Sequence, residues 1–193
     1  MTKPLVLASS SAYRRALVER LVPNCLYRAP NVDESALPGE PLPSLCRRLA
    51  EQKARALADN WPQALIIGSD QSAAVAGTQL HKPGNFATAH RQLRALSGRE
   101  VTFYTAVAVL DTGSGALLHH LDATRVQVRT LSDGEIVRYL QREQPYDCAG
   151  SFKVEGLGIS LFAKVVSDDP TALIGLPLIA LAAMLRQCGL AVP

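Results

Sequence analysis

Runs of apolar and polar residues along this chain have lengths and periods that predict a mixed α/β fold. PLVLAS (4–9) is a short apolar run closing on small hydroxyl residues, the pattern of a buried strand. SSAYRRALVERL (10–21) follows, with serine caps and apolar residues at Ala16, Leu17 and Leu21, so a helix starts where the strand stops. CLYRAP (25–30) is a second strand ended by Pro30, and NVDESALPGEPLP is a loop crowded with acids, Pro and Gly. From Pro43 to about Asn60 the pattern turns helical, with Leu45, Leu49, Ala54 and Leu57 on one stripe.

ALIIGSD is a third strand, and QSAAVAGTQLHKP after it predicts a small hairpin or excursion turning at Ala76-Gly77. A helix over 86–96 ends at Ser97-Gly98, a usual C-cap. EVTFYTAVAVL (100–110) and ALLHHLDATRVQVRT (116–130), separated by DTGSG, predict an antiparallel hairpin. LSDGEIVRYLQREQ (131–144) opens on a capping box, Ser132 with Glu135. A Gly-rich stretch around KVEG then leads into another strand, and a C-terminal helix follows Gly-Leu-Pro. No repeat and no long linker interrupts this order. One domain over 1–193 is therefore expected, a mixed, twisted sheet flanked by helices.

Composition narrows the functional classes. The chain has 193 residues, 48% hydrophobic and 19% charged, a globular balance. A net charge of +3 argues against a protein that tracks a long phosphate backbone, so no nucleic-acid partner is expected. The four cysteines, Cys25, Cys46, Cys148 and Cys188, are far apart and contain no CxxC pair, which fits idle thiols in a reducing cytoplasm. The N-terminal run is too short and wrongly ordered for a secretory signal. The most apolar stretch, 171–189, is broken by Gly175, Pro177 and Arg186, so no membrane span is expected.

Polar residues gather at the ends of the strands, where ligands of α/β sheets collect. Ser9, Ser10, Ser11, Arg14 and Arg15 stand at a helix N-terminus, a place that favours anions. Asp33 and Glu34 follow the second strand, and Asp70 ends the third. Lys53 lies on the helix between, and Lys82 sits in HKP. A lysine alone is usually a solvated surface charge, and Gly-Ser-Asp alone is ordinary turn chemistry. Together, cations for phosphates and carboxylates for a divalent ion suit hydrolysis of a nucleoside triphosphate, with one carboxylate activating water. The histidines (His81, His90, His119 and His120) show no metal-ligand spacing. Phe152 and Tyr104 are expected in the core.

ASSSAYRR, VDES, the Lys53 helix, IIGSDQ, HKP, LSGREVTFYT and CAGSFKVEG occur in an order and spacing similar to the Maf family of nucleotide pyrophosphatases, across essentially the whole chain. The resemblance implies a Mg²⁺- or Mn²⁺-dependent enzyme that splits a nucleoside triphosphate into monophosphate and pyrophosphate. It also implies a fold related to the inosine-triphosphate pyrophosphatases, two lobes with a cleft between them, often in a homodimer. By motif, Ser9, Ser11, Arg14, Glu34, Lys53, Asp70 and Lys82 fall on positions used for phosphate, metal or catalysis, with Asp70 the proton acceptor. Arg15 joins the phosphate-binding candidates, and Glu34 and Asp70 are the metal candidates.

Three departures from the commoner dTTP- and UTP-hydrolysing pattern resemble the YceF-like branch acting on 7-methyl-GTP: Tyr13, Gln71 and Glu155. The chemistry agrees with that resemblance. N7-methylguanine carries delocalised positive charge, which an aromatic face attracts. Its Watson–Crick edge presents two donors, which a carboxylate such as Glu155 accepts. A pyrimidine would leave that acceptor unpaired. Two alternatives are the same reaction on dTTP or UTP, and a regulator of cell division that binds a nucleotide without turnover.

Overall fold

The structure, a computed structural model, describes residues 3–192. Strands β1 (Leu5–Ala8), β2 (Leu26–Arg28), β3 (Leu65–Val75), β4 (Thr78–Leu80), β5 (Glu100–Asp111), β6 (Leu117–Val128) and β7 (Phe162–Val166) form one mixed sheet in the order β2-β1-β3-β5-β6-β7, with β4 beside β3. Helices α1 (Ala12–Glu19), α2 (Leu42–Arg55), α3 (Phe86–Leu96), α4 (Asp133–Glu143) and α5 (Leu178–Gln187) flank it. The elements expected from periodicity are all present, and β3 runs further than the ALIIGSD pattern indicates. The chain divides into two compact units. The first runs to Gln71, takes in Tyr104–Asp122 and resumes at Asp169; the second comprises Ser72–Phe103 and Ala123–Asp168.

In the first unit β1 pairs in parallel with both β2 and β3. Side chains alternate across a strand, and the two faces bury different partners. Leu5, Leu7, Leu65, Ile67, Val107 and Val109 pack with Leu17 and Val18 of α1 and with α5. Val6, Ala8 and Ile66 turn the other way, onto Ala54 of α2 and Leu57. Ala106 and Ala108 meet Cys46 and Ala50 of the same helix.

The approach of α2 to the sheet is set by one residue. A Cβ on Gly68 would lie 2.0 Å from the Ala50 carbonyl oxygen and 2.8 Å from the Ala54 nitrogen, so only glycine admits this backbone-to-backbone contact. β1 ends at Ala8, opposite Gly68, while β3 continues. Residues 69–71 therefore run past the carboxyl end of β1.

The second unit contains the β3–β4 hairpin, paired Ala73 to Leu80, together with α3, α4 and the antiparallel β6–β7 pair. Asn85 caps α3, and Ser132 with Glu135 closes the expected capping box of α4. Leu93, Leu96, Ile136, Leu140 and Phe152 are buried, and Phe152 contacts both Phe103 and Phe162. All four cysteines are free thiols. Among the described residues no helix is long and apolar enough to cross a membrane.

Candidate active site

The site begins with the alternation of β3. Asp70 shares the strand face of Gly68 and so points to the α2 side, and Lys53 stands there one helical turn beyond Leu49 on the buried stripe. Lys53 is only 5% exposed and Asp70 6%. Their charges meet directly, with Lys53 Nζ 2.7 Å from Asp70 Oδ1. The same ammonium lies 2.7 Å from Glu34 Oε1. Lys53 is thus a buried cation held between two carboxylates, unlike an isolated lysine, which is usually a solvated charge. A buried cation stripped of its partners would be strongly destabilising, so burial and pairing arise together.

Glu34 reaches this position from a braced loop, although its own side chain is 62% exposed. Asp33 accepts from the Ser35 amide in a local turn at 2.9 Å. Arg48 of α2 grips the loop twice: through Glu40, at 2.7 Å from both Nε and Nη2, and through the Ser35 carbonyl at 2.9 Å. Glu40 also accepts the Leu37 amide, and the hydrogen bonds from Arg48 hold its carboxyl down to about 2.

On the opposite face of β3, Ser69 and Gln71 face a short 3₁₀ turn, Ala172–Ile174. Ser69 Oγ donates to the Gly175 carbonyl at 3.0 Å, and Arg14 Nε donates to the same oxygen at 2.9 Å. That is the only side-chain hydrogen bond of Arg14 among the described residues, so both Nη groups remain for a ligand. Burial pulls the Arg14 guanidinium pKa down, and the attraction of Asp70 and then Glu34 opposes that pull. Arg14 therefore belongs to the same charged group as Lys53, Asp70 and Glu34.

The serines at the N-terminus of α1 serve the helix. Ser11 is its N-cap and accepts from the Arg14 amide, while Ser9 Oγ accepts from the Ser11 amide at 3.1 Å. Tyr13 is half-buried in the first turn. Arg15 is not brought into the charged group. One residue on from Arg14, it is rotated about 100° around the helix, pairs with Glu19 at 3.0 Å and lies 4.4 Å over the Tyr27 ring. Gln71 is engaged within the protein: its Nε2 donates to Thr105 Oγ1 at 2.9 Å and to the Ala172 and Leu173 carbonyls at 3.0 and 3.1 Å.

Lys82 and Glu155 belong to the second unit, both exposed and without a side-chain partner among the described residues. Lys82 follows β4 in a loop fixed by Gln92 on the His81 carbonyl and by the Gly84 amide on the Tyr146 carbonyl. The loop bearing Glu155 is pinned to α4 on either side: the Lys153 amide donates to Tyr139 Oη at 3.1 Å, and the Leu157 amide donates to Glu143 at 2.5 Å.

Sequence reasoning missed Ser69, Thr105, Gly175 and the Arg48–Glu40 clamp. Ser69 was signalled only by its place beside Asp70, and Gly175 by interrupting an apolar run. The other partners become visible only on folding.

The donor set suits a hard divalent cation. Two carboxylates already share one positive centre, and Mg²⁺ usually takes one or two protein carboxylates, completing its shell with water and substrate phosphate. Among the described residues no group of three or more His, Cys, Asp and Glu side chains has the form of a metal site. A site completed by its substrate does not need one.

A family model described as Maf-like protein matches residues 4–188. A 7-methyl-GTP pyrophosphatase of Polaromonas sp. is 52% identical over 98% of this chain and 87% of its own length. One from Xanthomonas axonopodis pv. citri is 53% identical over 98% of both chains. One from Pseudomonas fluorescens is 50% identical over 98% of this chain and 99% of its own. Among solved structures, a HAM1 protein from Coxiella burnetii aligns with 66% of this chain and 73% of its own, at 18% identity and a TM-score of 0.46.

Proposed function

Since the chain belongs to the Maf family, we propose that it hydrolyses 7-methyl-GTP to 7-methyl-GMP and pyrophosphate. The observation that carries this reading is the group formed by Lys53, Asp70, Glu34 and the anchored Arg14 beyond the carboxyl end of β1. Relatives about half identical over the full chain, which bear the name 7-methyl-GTP pyrophosphatase, support the choice of base.

In this reading the triphosphate takes the Nη donors of Arg14 and the ammonium of Lys53, and an arginine fork suits phosphate oxygens. Lys82 adds a further cation for the phosphates. Asp70 orients the attacking water and accepts its proton, a role worth about 10²–10⁴-fold in rate. Glu34 and Asp70 would hold Mg²⁺ or Mn²⁺, which when bound neutralises charge on the polyphosphate. Ser9 and Ser11 accept backbone amides at the N-terminus of α1, and in this reading their hydroxyl protons go to phosphate oxygens. Glu155 selects the base by accepting the two donors of the guanine edge, and Tyr13 offers its ring to the positive purine. The same reading places the protein in the cytoplasm as a house-cleaning enzyme, and as a homodimer. Light scattering that returned one chain mass, 20.7 kDa, would remove the dimer.

The test is pyrophosphate release from a panel of canonical and modified triphosphates, with Mg²⁺ or Mn²⁺ and after chelation. Turnover should be greatest for 7-methyl-GTP, stop on chelation, and fall at least 100-fold in Asp70→Asn, in line with loss of a general base. Preference for dTTP would reject the base assignment and keep the chemistry. No turnover of any nucleotide would reject the enzyme.

A further inference from the structure

Gln71 stands one residue after Asp70, and its amide engages neither Asp70 nor Lys53 but the opposite face of the sheet. Its two N–H protons serve three acceptors: a hydroxyl on β5 and two successive carbonyls of the Ala172–Ile174 turn. Thr105 Oγ1 adds a second tie, donating to the Ala172 carbonyl at 3.0 Å. Thr105 and Ala172 are fully buried, so these carbonyls depend on protein donors.

The turn held in this way ends on Gly175, whose φ of 129° is a conformation that side-chain-bearing residues rarely adopt. The Gly175 amide closes the turn onto the Ala172 carbonyl at 2.9 Å. Its carbonyl oxygen then receives Ser69 Oγ and Arg14 Nε. A continuous series of hydrogen bonds therefore runs from the Gln71 amide through the turn to the guanidinium. The turn is secured from below as well: Asp169 and Thr171 together cap α5, with Asp169 Oδ2 accepting from the Ile179 amide at 2.7 Å and Thr171 Oγ1 from the Leu178 amide at 2.9 Å.

We infer that Gln71 is a positioning residue for Arg14: with Ser69 it fixes the 172–175 turn so that the Gly175 carbonyl aims the guanidinium at the polyphosphate. This role acts on the phosphate end of the substrate and is separate from reading the base. This rests on the proposed function in one respect, the placing of Arg14 against phosphate.

Inorganic tripolyphosphate separates the two roles because it carries phosphates and no base. Its affinity, in the presence of Mg²⁺, would be measured calorimetrically for the wild type, Gln71→Ala, Ser69→Ala, Arg14→Ala and the Gln71→Ala/Arg14→Ala pair. Gln71→Ala should weaken binding about tenfold and Ser69→Ala about threefold, as for members of one hydrogen-bonded network. In the Arg14→Ala background the Gln71 substitution should add less than about twofold, because its effect passes through the arginine. Ser69→Ala removes only a hydroxyl and tests the same link should Gln71→Ala fail to fold.

Unchanged tripolyphosphate affinity in both single variants would overturn the proposal, as would an equal loss from Gln71→Ala with and without Arg14. Unchanged affinity in Arg14→Ala would reject the phosphate role of Arg14 and the inference with it.

Discussion

Lys53 illustrates what a sequence conceals at the scale of a residue. It lies on the stripe that carries Leu45, Leu49 and Ala54, a position where a cation is buried and must find partners. The stripe was legible, and so was the membership of Glu34, Lys53 and Asp70 in one site; the direct pairing of the ammonium with both carboxylates was not, since they come from separate strand ends. Arg15 shows the reverse, a basic neighbour of Arg14 that looks equally suited to phosphate but is taken up by Glu19 and Tyr27. The Arg48–Glu40 pair, also unforeseen, yields a pH prediction. The folded pKa of Glu40, about 2, lies below its unfolded value near 4.3. The unfolded chain therefore binds the proton more tightly, and the contribution is complete above the unfolded value and lost as the pH falls towards 2. Urea denaturation should find Glu40→Gln less stable than wild type from pH 7 to about 5, with the difference shrinking below pH 4. A difference independent of pH would mean that the clamp is not electrostatic. The variant should also turn over more slowly at pH 7, because the loop bearing Glu34 loses its grip on Arg48.

At the scale of elements, periodicity and capping placed nearly every helix and strand, because amphipathic stripes, a capping box and hairpin turns are local signals. What escaped was the use of elements as anchors. The contact of Arg14 with Gly175 joins residues 161 positions apart, and no local pattern encodes it. Gly68 is intermediate, since a glycine in an otherwise apolar strand marks a close approach without saying to what. Its neighbour is the backbone of α2, the helix that carries Lys53. Gly68→Ala must push α2 outward, and overpacking of this kind costs about 1–3 kcal/mol. The displacement should also separate Lys53 from Asp70. Chemical denaturation should therefore show lower stability, and at temperatures where the variant is fully folded its turnover should remain depressed. Normal turnover in the folded variant would show that the fit of α2 on β3 does not set the ion pair.

At the scale of the whole molecule, the candidate residues are unevenly shared. Arg14, Glu34, Lys53 and Asp70, the group suited to polyphosphate and water, are built by the first unit, while Glu155 is carried by the second. The loop around Glu155 is held within its own unit, through Tyr139 and Glu143 of α4. Glu155 is itself exposed and unpartnered among the described residues, so replacing it leaves no buried donor or acceptor unsatisfied. Glu155→Gln should consequently melt like the wild type. In the proposed role of Glu155 the substitution replaces an acceptor by a donor at the guanine edge, so kcat/KM for 7-methyl-GTP should fall about 10–100-fold, a loss of the size an unpaired polar contact produces. For a slow pyrimidine triphosphate, which gains nothing from the acid, kcat/KM should stay within about threefold of wild type or rise, because the site then offers the edge a donor. Equal losses on both substrates would make Glu155 part of the chemical apparatus. No loss on either would transfer base selection to other residues, with Tyr13 the next to test.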